Sequence, residues 1–417
     1  MRPKNVKSIV SIICFSTENK YVIEVMKEKI LKLKNIKNIN YQAVLDILLQ
    51  SDGLSRVELA KRMGCNNATV TRAVSALIEH GIVVEGEKEE QALGRPRVTL
   101  RINPNGPLLL GLALEADGII GVLTDLRGVP KEHYHIVFKK LPEKMVFLNA
   151  VANVIEHLKG IAKDRLICIG TSVFGLYSGE EYTIENAAAL PSLNGLELRP
   201  FFEKAAGMKV TICDQSVAKM SYLSRKNPQL NAGTLMLIAV DNGIGSLLVE
   251  AGRLMFSRNN HGGELGHTIC IPNGMLCSCG RRGCLETVAS IPALVRSCRE
   301  KLPMAKLDYD SVCKLYRDGN EIVRSEVSSL VDYLGTAIAN LVNNISVEQL
   351  VITGGLLRLG EEFQSALEAK IDSILFASVK SCMTVHFFQP EGEDSLACGA
   401  AIWAEQHTDM IHALLSP

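Results

Sequence analysis

The 417-residue sequence has no excess charge of either sign: 45 Lys and Arg balance 45 Asp and Glu. No global positive field draws the chain onto nucleic acid, so any DNA contact must come from a local surface. It has no apolar run near the ~18 residues that a bilayer-spanning helix requires, so no membrane partner is expected. Short-period repeats and low-complexity tracts are missing. A disulfide framework is missing too, because the 12 cysteines are spread along a long chain and only one group is clustered. Such usage reads as buried thiols plus one metal site, and the expected compartment is a reducing cytoplasm. What the chain does have is length for two or three domains and a hydrophobic fraction of 47% to build their cores.

Residues 1–38 hold nine basic residues against three acidic ones. Arg2, Lys4 and Lys7 precede the apolar run Ile9–Phe15. That run is at the short limit for a signal peptide, and no small-residue cleavage site follows clearly. The segment is read as a basic N-terminal arm. A helix over Val22–Asn38 that contacts DNA or a partner is the alternative.

Residues 39–104 change character and are read as a winged helix-turn-helix domain. Tyr41–Leu49 has helical apolar spacing. Ser55 with Glu58 forms a capping box before Val57, Leu59, Ala60 and Met63. Gly64 breaks that helix, and Asn66–Asn67 caps the next, which carries Ala68, Val70, Val74, Leu77 and Ile78. A strand begins at Ile82–Val84, Glu85–Leu93 is polar and turn-like, and Val98–Ile102 returns. Asn66, Asn67, Thr69, Thr71 and Arg72 lie on the face that would enter a DNA groove. Asn pairs with adenine, and Thr and Arg bind phosphate or base. A small three-helix domain with a polar outer face would look similar. In Gly94-Arg-Pro-Arg97, Pro96 keeps the backbone extended, and Arg95 and Arg97 suit a narrow minor groove. An ordinary turn at the wing's end is the other reading.

After the linker Asn103–Gly106, strands alternate with helices, which argues α/β architecture. Strands are expected over Leu109–Leu114, Ile119–Asp125, Leu166–Ser172, Val210–Asp214, Thr234–Val240 and Leu350–Thr353. Helices are expected over Met145–Leu158 and Val327–Asn344.

The sharpest local signal is His267, Cys277, Cys279 and Cys284. Three thiolates and one imidazole suit tetrahedral zinc, and Gly280 and Gly283 permit a tight knuckle. All four positions are filled by protein, so the expected Zn2+ is structural. A free-thiol loop or a redox pair is the alternative.

Gly263-Glu-Leu-Gly-His267, followed by Cys277-Ser-Cys-Gly-Arg-Arg-Gly-Cys-Leu-Glu286, resembles the signature of the ROK family (repressors, open reading frames and kinases). With the winged helix and Gly94-Arg-Pro-Arg97, the chain resembles the repressor branch, which includes the N-acetylglucosamine and xylose repressors. The resemblance covers roughly residues 40–405. It implies an actin-like fold of the sugar-kinase type, with two ribonuclease-H-like lobes at 105–232 and 233–417, the C-terminal helix packing back on the first lobe. It also implies that Glu264, His267 and Glu286 meet sugar hydroxyls, in a region that holds Asn186 and Asn194 as well. Support of the knuckle is the other role open to Glu264 and Glu286. Asp214 matches the family's catalytic base, although Cys213 stands where the family has Asn; an Asp here could also be only a turn former.

Both phosphate loops depart from the kinase pattern. Leu114-Glu-Ala-Asp-Gly-Ile-Ile120 replaces a loop ending Gly-Gly-Thr. Asp241-Asn-Gly-Ile-Gly-Ser-Leu247 replaces a glycine-rich loop and adds a negative charge. Gly354-Gly355 resembles the adenosine-side pair. The implied protein is therefore a non-enzymatic regulator in which Asp214 is a vestigial base. Its partners would be double-stranded operator DNA, a sugar or sugar phosphate effector, and further copies of itself in a homodimer or homotetramer. The competing readings are a ROK-type sugar kinase with a DNA-binding appendage and a zinc or redox sensor.

Overall fold

The computed structural model describes residues 38–51, 53–89, 97–255, 262–302, 306–389 and 392–415. The arm at 1–37, most of Val22–Asn38, and Arg95 lie outside them, as does the side chain of Arg97. The chain divides into two compact units, one holding residues up to Gly106 together with Asp409–Pro417, the other Pro107–Thr408.

In the first unit, α1 (residues 38–49), α2 (Arg56–Met63) and α3 (Asn67–Glu79) precede a two-stranded wing, β1 (Val83–Glu89) and β2 (Arg97–Ile102). Ser55 and Glu58 form the expected reciprocal cap on α2, an arrangement worth about 1 kcal/mol. Gly64 ends α2 in the left-handed region. Leu45, Leu48, Leu59, Val70, Leu77, Ile82 and Leu100 are wholly buried, so every element contributes its apolar face to one small core. Val83 pairs with Ile102 and Glu89 with Arg97. β1 thus runs through the Glu85–Glu89 stretch that composition marks as turn, because ladder pairing with β2 outweighs the weak strand propensity of Glu and Lys.

The second unit holds two five-stranded sheets of the same topology. The first comprises β3 (Leu108–Glu115), β4 (Gly118–Asp125), β5 (Pro130–Val137), β6 (Leu166–Val173) and β9 (Val210–Asp214), in the order β5-β4-β3-β6-β9. The second comprises β10 (Thr234–Val240), β11 (Ile244–Glu250), β12 (Arg253–Leu254), β13 (Gln349–Thr353) and β14 (Thr384–Phe388), in the order β12-β11-β10-β13-β14. In each, three antiparallel strands are followed by two parallel ones reached through helices. A small pair, β7 (Leu176–Ser178) and β8 (Thr183–Asn186), stands beside the first sheet's sequence.

Helices α4 (Lys144–Ala162), α5 (Leu198–Ala206) and α6 (Gln215–Lys226) come with the first sheet. With the second come α7 (Glu286–Ala289), α8 (Ile291–Lys301), α9 (Tyr309–Arg317), α10 (Glu321–Ile345), α11 (Glu361–Ile374) and α12 (Ala377–Lys380). The stripe Val323, Val327, Leu330, Leu334, Ile338 and Val342 buries one face of α10, at the spacing of a helix face. The strands β5, β7, β8, β11, β12 and β14 were not foreseen. β5 is an exposed, polar edge strand, which hides it from apolar-pattern reading.

Two terminal helices follow, α13 (Ser395–His407) and α14 (Met410–Leu415). α13 packs on β3, β6 and α6 of the first lobe. It lies so close that a Cβ on Gly111 would be 1.8 Å from the Ala397 carbonyl oxygen, and one on Gly170 1.9 Å from that of Ala400. The buried pair Arg225–Glu405 (2.6 Å) and the bond from Arg225 to the Leu126 carbonyl tie α13 and α6 to β4. α14 buries Met410 and Ile411 and belongs to the first unit.

Candidate functional site

The donor atoms of His267, Cys277, Cys279 and Cys284 lie within 4.8 Å of one another. Cys279 Sγ is 3.6 Å from Cys284 Sγ, and His267 Nδ1 is 3.5 Å from Cys277 Sγ. A tetrahedron with Zn–S bonds of about 2.3 Å has S···S edges of about 3.8 Å, so the spacing fits a four-coordinate metal. The loop that carries the thiols is self-supporting. Cys277 donates its N–H to the Arg281 carbonyl, Cys270 donates to Gly283, and Gly280 and Gly283 both take the positive φ that the sequence predicts of them. Burial pushes the Cys284 thiol up to about 12, helped by its contacts with Cys279 and Cys277. Burial also acts upward on Cys279, but hydrogen bonds involving Arg281, Cys277 and Cys284 outweigh it and bring that thiol down to about 6. Thiols this close hold protons on unequal terms, and a cation that takes all of them as thiolates removes the conflict. The described residues therefore include a possible Cys/His metal site.

His267 turns its Nδ1 toward these thiols, which leaves Nε2 facing Glu264 Oε2 at 4.0 Å. The segment is pinned to β11. Ser246 donates both its N–H (2.7 Å) and its hydroxyl (3.0 Å) to the Gly263 carbonyl. A Cβ on Gly263 would sit 1.7 Å from the Ser246 carbonyl oxygen, so no other residue fits there. Glu286, at the start of α7, accepts from the Ile244 N–H at 3.3 Å and so braces the β10–β11 turn. Asn186 donates to the Ser278 carbonyl of the knuckle, and Asn194 accepts from the Ala187 N–H.

Asp214 ends β9 and caps α6, accepting from the Val217 N–H at 2.9 Å. Burial raises its carboxyl above the usual range, against the pull of the Val217 and Ser216 amides and Lys219. It lines a cleft of about 510 Å³, counting the open mouth. Tyr177, Ser246, Gly263 and Trp403 line the same space, and of these Tyr177 and Trp403 lie outside every motif of the sequence. Tyr177 is 4% exposed. Burial, then Asp214, holds its hydroxyl well above the ordinary tyrosine value, so it stays a proton-bearing donor.

The phosphate region is organised differently. The first loop is reduced to a tight β3–β4 turn in which Glu115 pairs with Gly118. At the second, Asp241 Oδ1 accepts the Gly355 N–H at 2.6 Å, and Oδ2 accepts from Lys219. The amide of the glycine pair and the nearby cation are thus committed to the chain's own carboxylate.

On α3, Asn66 spends its side-chain oxygen on the helix cap, accepting from the Thr69 N–H at 2.9 Å. Asn67, Thr71 and Arg72 are exposed, Thr69 is half-buried, and Arg72 Nε reaches back to the Ala68 carbonyl.

Fold and site together define a two-lobed protein of the sugar-kinase type, with a Cys/His knuckle that is a possible metal site and an additional winged-helix unit. Residues 117–407 match the model of the ROK family, and residues 38–85 that of the MarR family. The chain belongs to the ROK family. It is similar to the xylose repressor of Bacillus spizizenii, 24% identical over 347 residues that cover 82% of this chain and 88% of that repressor. It is equally similar to the N-acetylglucosamine repressor of Escherichia coli O157:H7, 24% identical over 367 residues and covering 84% and 85%. Among solved structures, a ROK family transcriptional regulator described as a homolog of E. coli MLC protein superposes with a TM-score of 0.75 at 24% identity, covering 91% of this chain and 98% of that one. A ROK family glucokinase from Streptomyces griseus, in complex with glucose and AMPPNP, covers 72% and 99% with a TM-score of 0.63 at 19% identity. The actin-like fold expected from the motifs is the observed one.

Proposed function

We propose that this chain is a sugar-responsive, DNA-binding transcriptional regulator, a repressor of carbohydrate uptake or catabolism genes, and that it is not a kinase. The observation that carries the reading is the combination of a winged-helix unit with a sugar-kinase fold whose phosphate donors are taken by Asp241. A phosphate arriving there would meet a carboxylate instead of a free amide and cation. The names of the relatives, xylose and N-acetylglucosamine repressors, support the same conclusion.

In this reading Asn67, Thr69, Thr71 and Arg72 approach operator DNA, with Arg95 and Arg97 on the wing side. Asn66 contributes by capping the helix and offering its free amide. Asp214, Glu264, His267 and Glu286 form the sugar's polar surroundings. Carboxylates accept from several hydroxyls, and metal on Nδ1 of His267 would direct Nε2 toward the ligand. His267, Cys277, Cys279 and Cys284 would hold a structural Zn2+ that stiffens this loop. The protein works in the cytoplasm as a homodimer or homotetramer, whose paired winged helices read half-sites about one helical turn apart. A sugar or sugar phosphate changes DNA affinity only through its different affinity for the two states.

The test is electrophoretic mobility shift on the DNA upstream of the protein's own gene, with and without a sugar panel, beside an ATP-coupled phosphorylation assay. Sequence-selective binding modulated by one sugar, without turnover, is expected. Turnover abolished by Asp214→Asn would establish the kinase instead.

A further inference from the structure

The cleft at Asp214 has a mixed lining. Its polar side chains are Asp214, Tyr177 and Ser246. Its apolar ones include Val217 on α6, Leu247 and Leu248 on β11, Leu254 on β12 and Trp403 on α13. Tyr177, 4% exposed, lines the cleft and keeps its proton, so its hydroxyl is a donor as well as an acceptor. No Lys, Arg or His is among the described lining residues, while Asp214 is a carboxyl and Glu264 lies near enough to raise Tyr177. Lys219, the cation close by on α6, is committed to Asp241.

A free monosaccharide matches only half of this surface. It carries hydroxyls on nearly every edge, and those turned to the leucines would lose water without gaining a partner. A sugar phosphate fits worse, because no cation among the described lining residues would pair its dianion beside these carboxyl groups. We infer that the effector is an uncharged glycoside with an apolar aglycone, its sugar hydroxyls on Asp214 and Tyr177 and its aglycone against Leu247, Leu254 and Trp403. Here Leu247, which replaces the last glycine of the kinase-type loop, gains a function: it supplies apolar wall where a nucleotide enzyme keeps bare backbone. The inference rests on the sugar-responsive reading and narrows it to a ligand class. Trp403 is the sole tryptophan of the chain, so its emission reports on this cleft directly.

The experiment uses the full-length protein. Trp403 fluorescence and isothermal titration are followed with glucose, galactose and xylose, with their phenyl β-glycosides, and with glucose 6-phosphate. At least one phenyl glycoside should bind at least about tenfold more tightly than its parent sugar, as expected for burying an aromatic ring, with the phosphate weakest. In Leu254→Asn that gap should close while affinity for the parent sugar is kept. A parent sugar that matches its glycoside, or a phosphate that binds more tightly than both, overturns the inference and leaves the sugar-responsive reading standing. Binding by none of these probes, together with DNA affinity that no carbohydrate changes, overturns both.

Discussion

The Cys/His knuckle and the loop at Asp241 both gather polar donors beside glycine-bearing turns of the second lobe's chain. At the knuckle four side chains converge with spacing that suits one cation. At the phosphate region the donors also converge, but on Asp241, a ligand that the chain supplies itself. A fold can therefore be kept while one internal carboxylate occupies the donors of a site. The knuckle stays ready for an external ion, whereas the second loop is already satisfied.

The largest effect should come from breaking the knuckle. Cys279→Ser removes one of four donors, and metal content measured by atomic absorption should fall from near one per chain toward zero. The unfolding free energy should drop by more than about 3 kcal/mol, given what structural zinc contributes to folding. Full zinc occupancy in this variant would contradict the ligand set.

Emptying the other loop should matter less. Asp241→Ala leaves Lys219 and the Gly355 N–H without their acceptor and should cost about 1–3 kcal/mol in denaturant unfolding. No ATP-dependent sugar phosphorylation should appear, since the β3–β4 turn still offers no phosphate loop. Turnover in this variant would mean that Asp241 alone separates the chain from a kinase.

Arg72→Ala sharpens the contrast from outside, because it should weaken operator binding by about 1–2 kcal/mol with metal content and sugar binding unchanged. A salt dependence identical to the parent protein's would remove Arg72 from the DNA contacts.

The smallest effect concerns Glu115 in the β3–β4 turn. Burial, then Asp117, raises its carboxyl above the usual value, with Lys219 opposing and Asp241 adding to the rise. Its folded-state pKa therefore lies above the unfolded one, and its charge costs stability as pH rises from about 4 through the folded value. Glu115→Gln should accordingly stabilise the protein at pH 7 relative to pH 4, but by less than about 1 kcal/mol, because the side chain is exposed at the end of β3 and solvent screens it. An equal change at both pH values would show that the carboxyl is not strained by burial.

Much of this was legible beforehand. The capping box at Ser55 and Glu58, the break at Gly64, and the ligand spacing from His267 to Cys284 are short-range patterns, read within a few turns of chain. The buried strands β3, β6, β9, β10 and β13 were visible because they are apolar on both faces. β5 was not, because an exposed edge strand has no apolar signature, and neither was the close seat of α13 on Gly111 and Gly170. Asp241 was noticed as an unfavourable charge, but its partners were not. Tyr177 and Trp403 carried no signal at all, being ordinary residues whose importance lies in facing one cleft.

By itself, the sequence determined the winged-helix pattern, the alternation of strands and helices, and the donor set of the knuckle, since each depends on residues near one another along the chain. Only the tertiary structure decided that Asp241 meets Lys219, 22 positions away, and Gly355, 114 positions away. It alone also decided that leucines and Trp403 share a cleft with Asp214. Those outcomes depend on how distant segments pack, and burial is a property of the folded surface that no local spacing encodes.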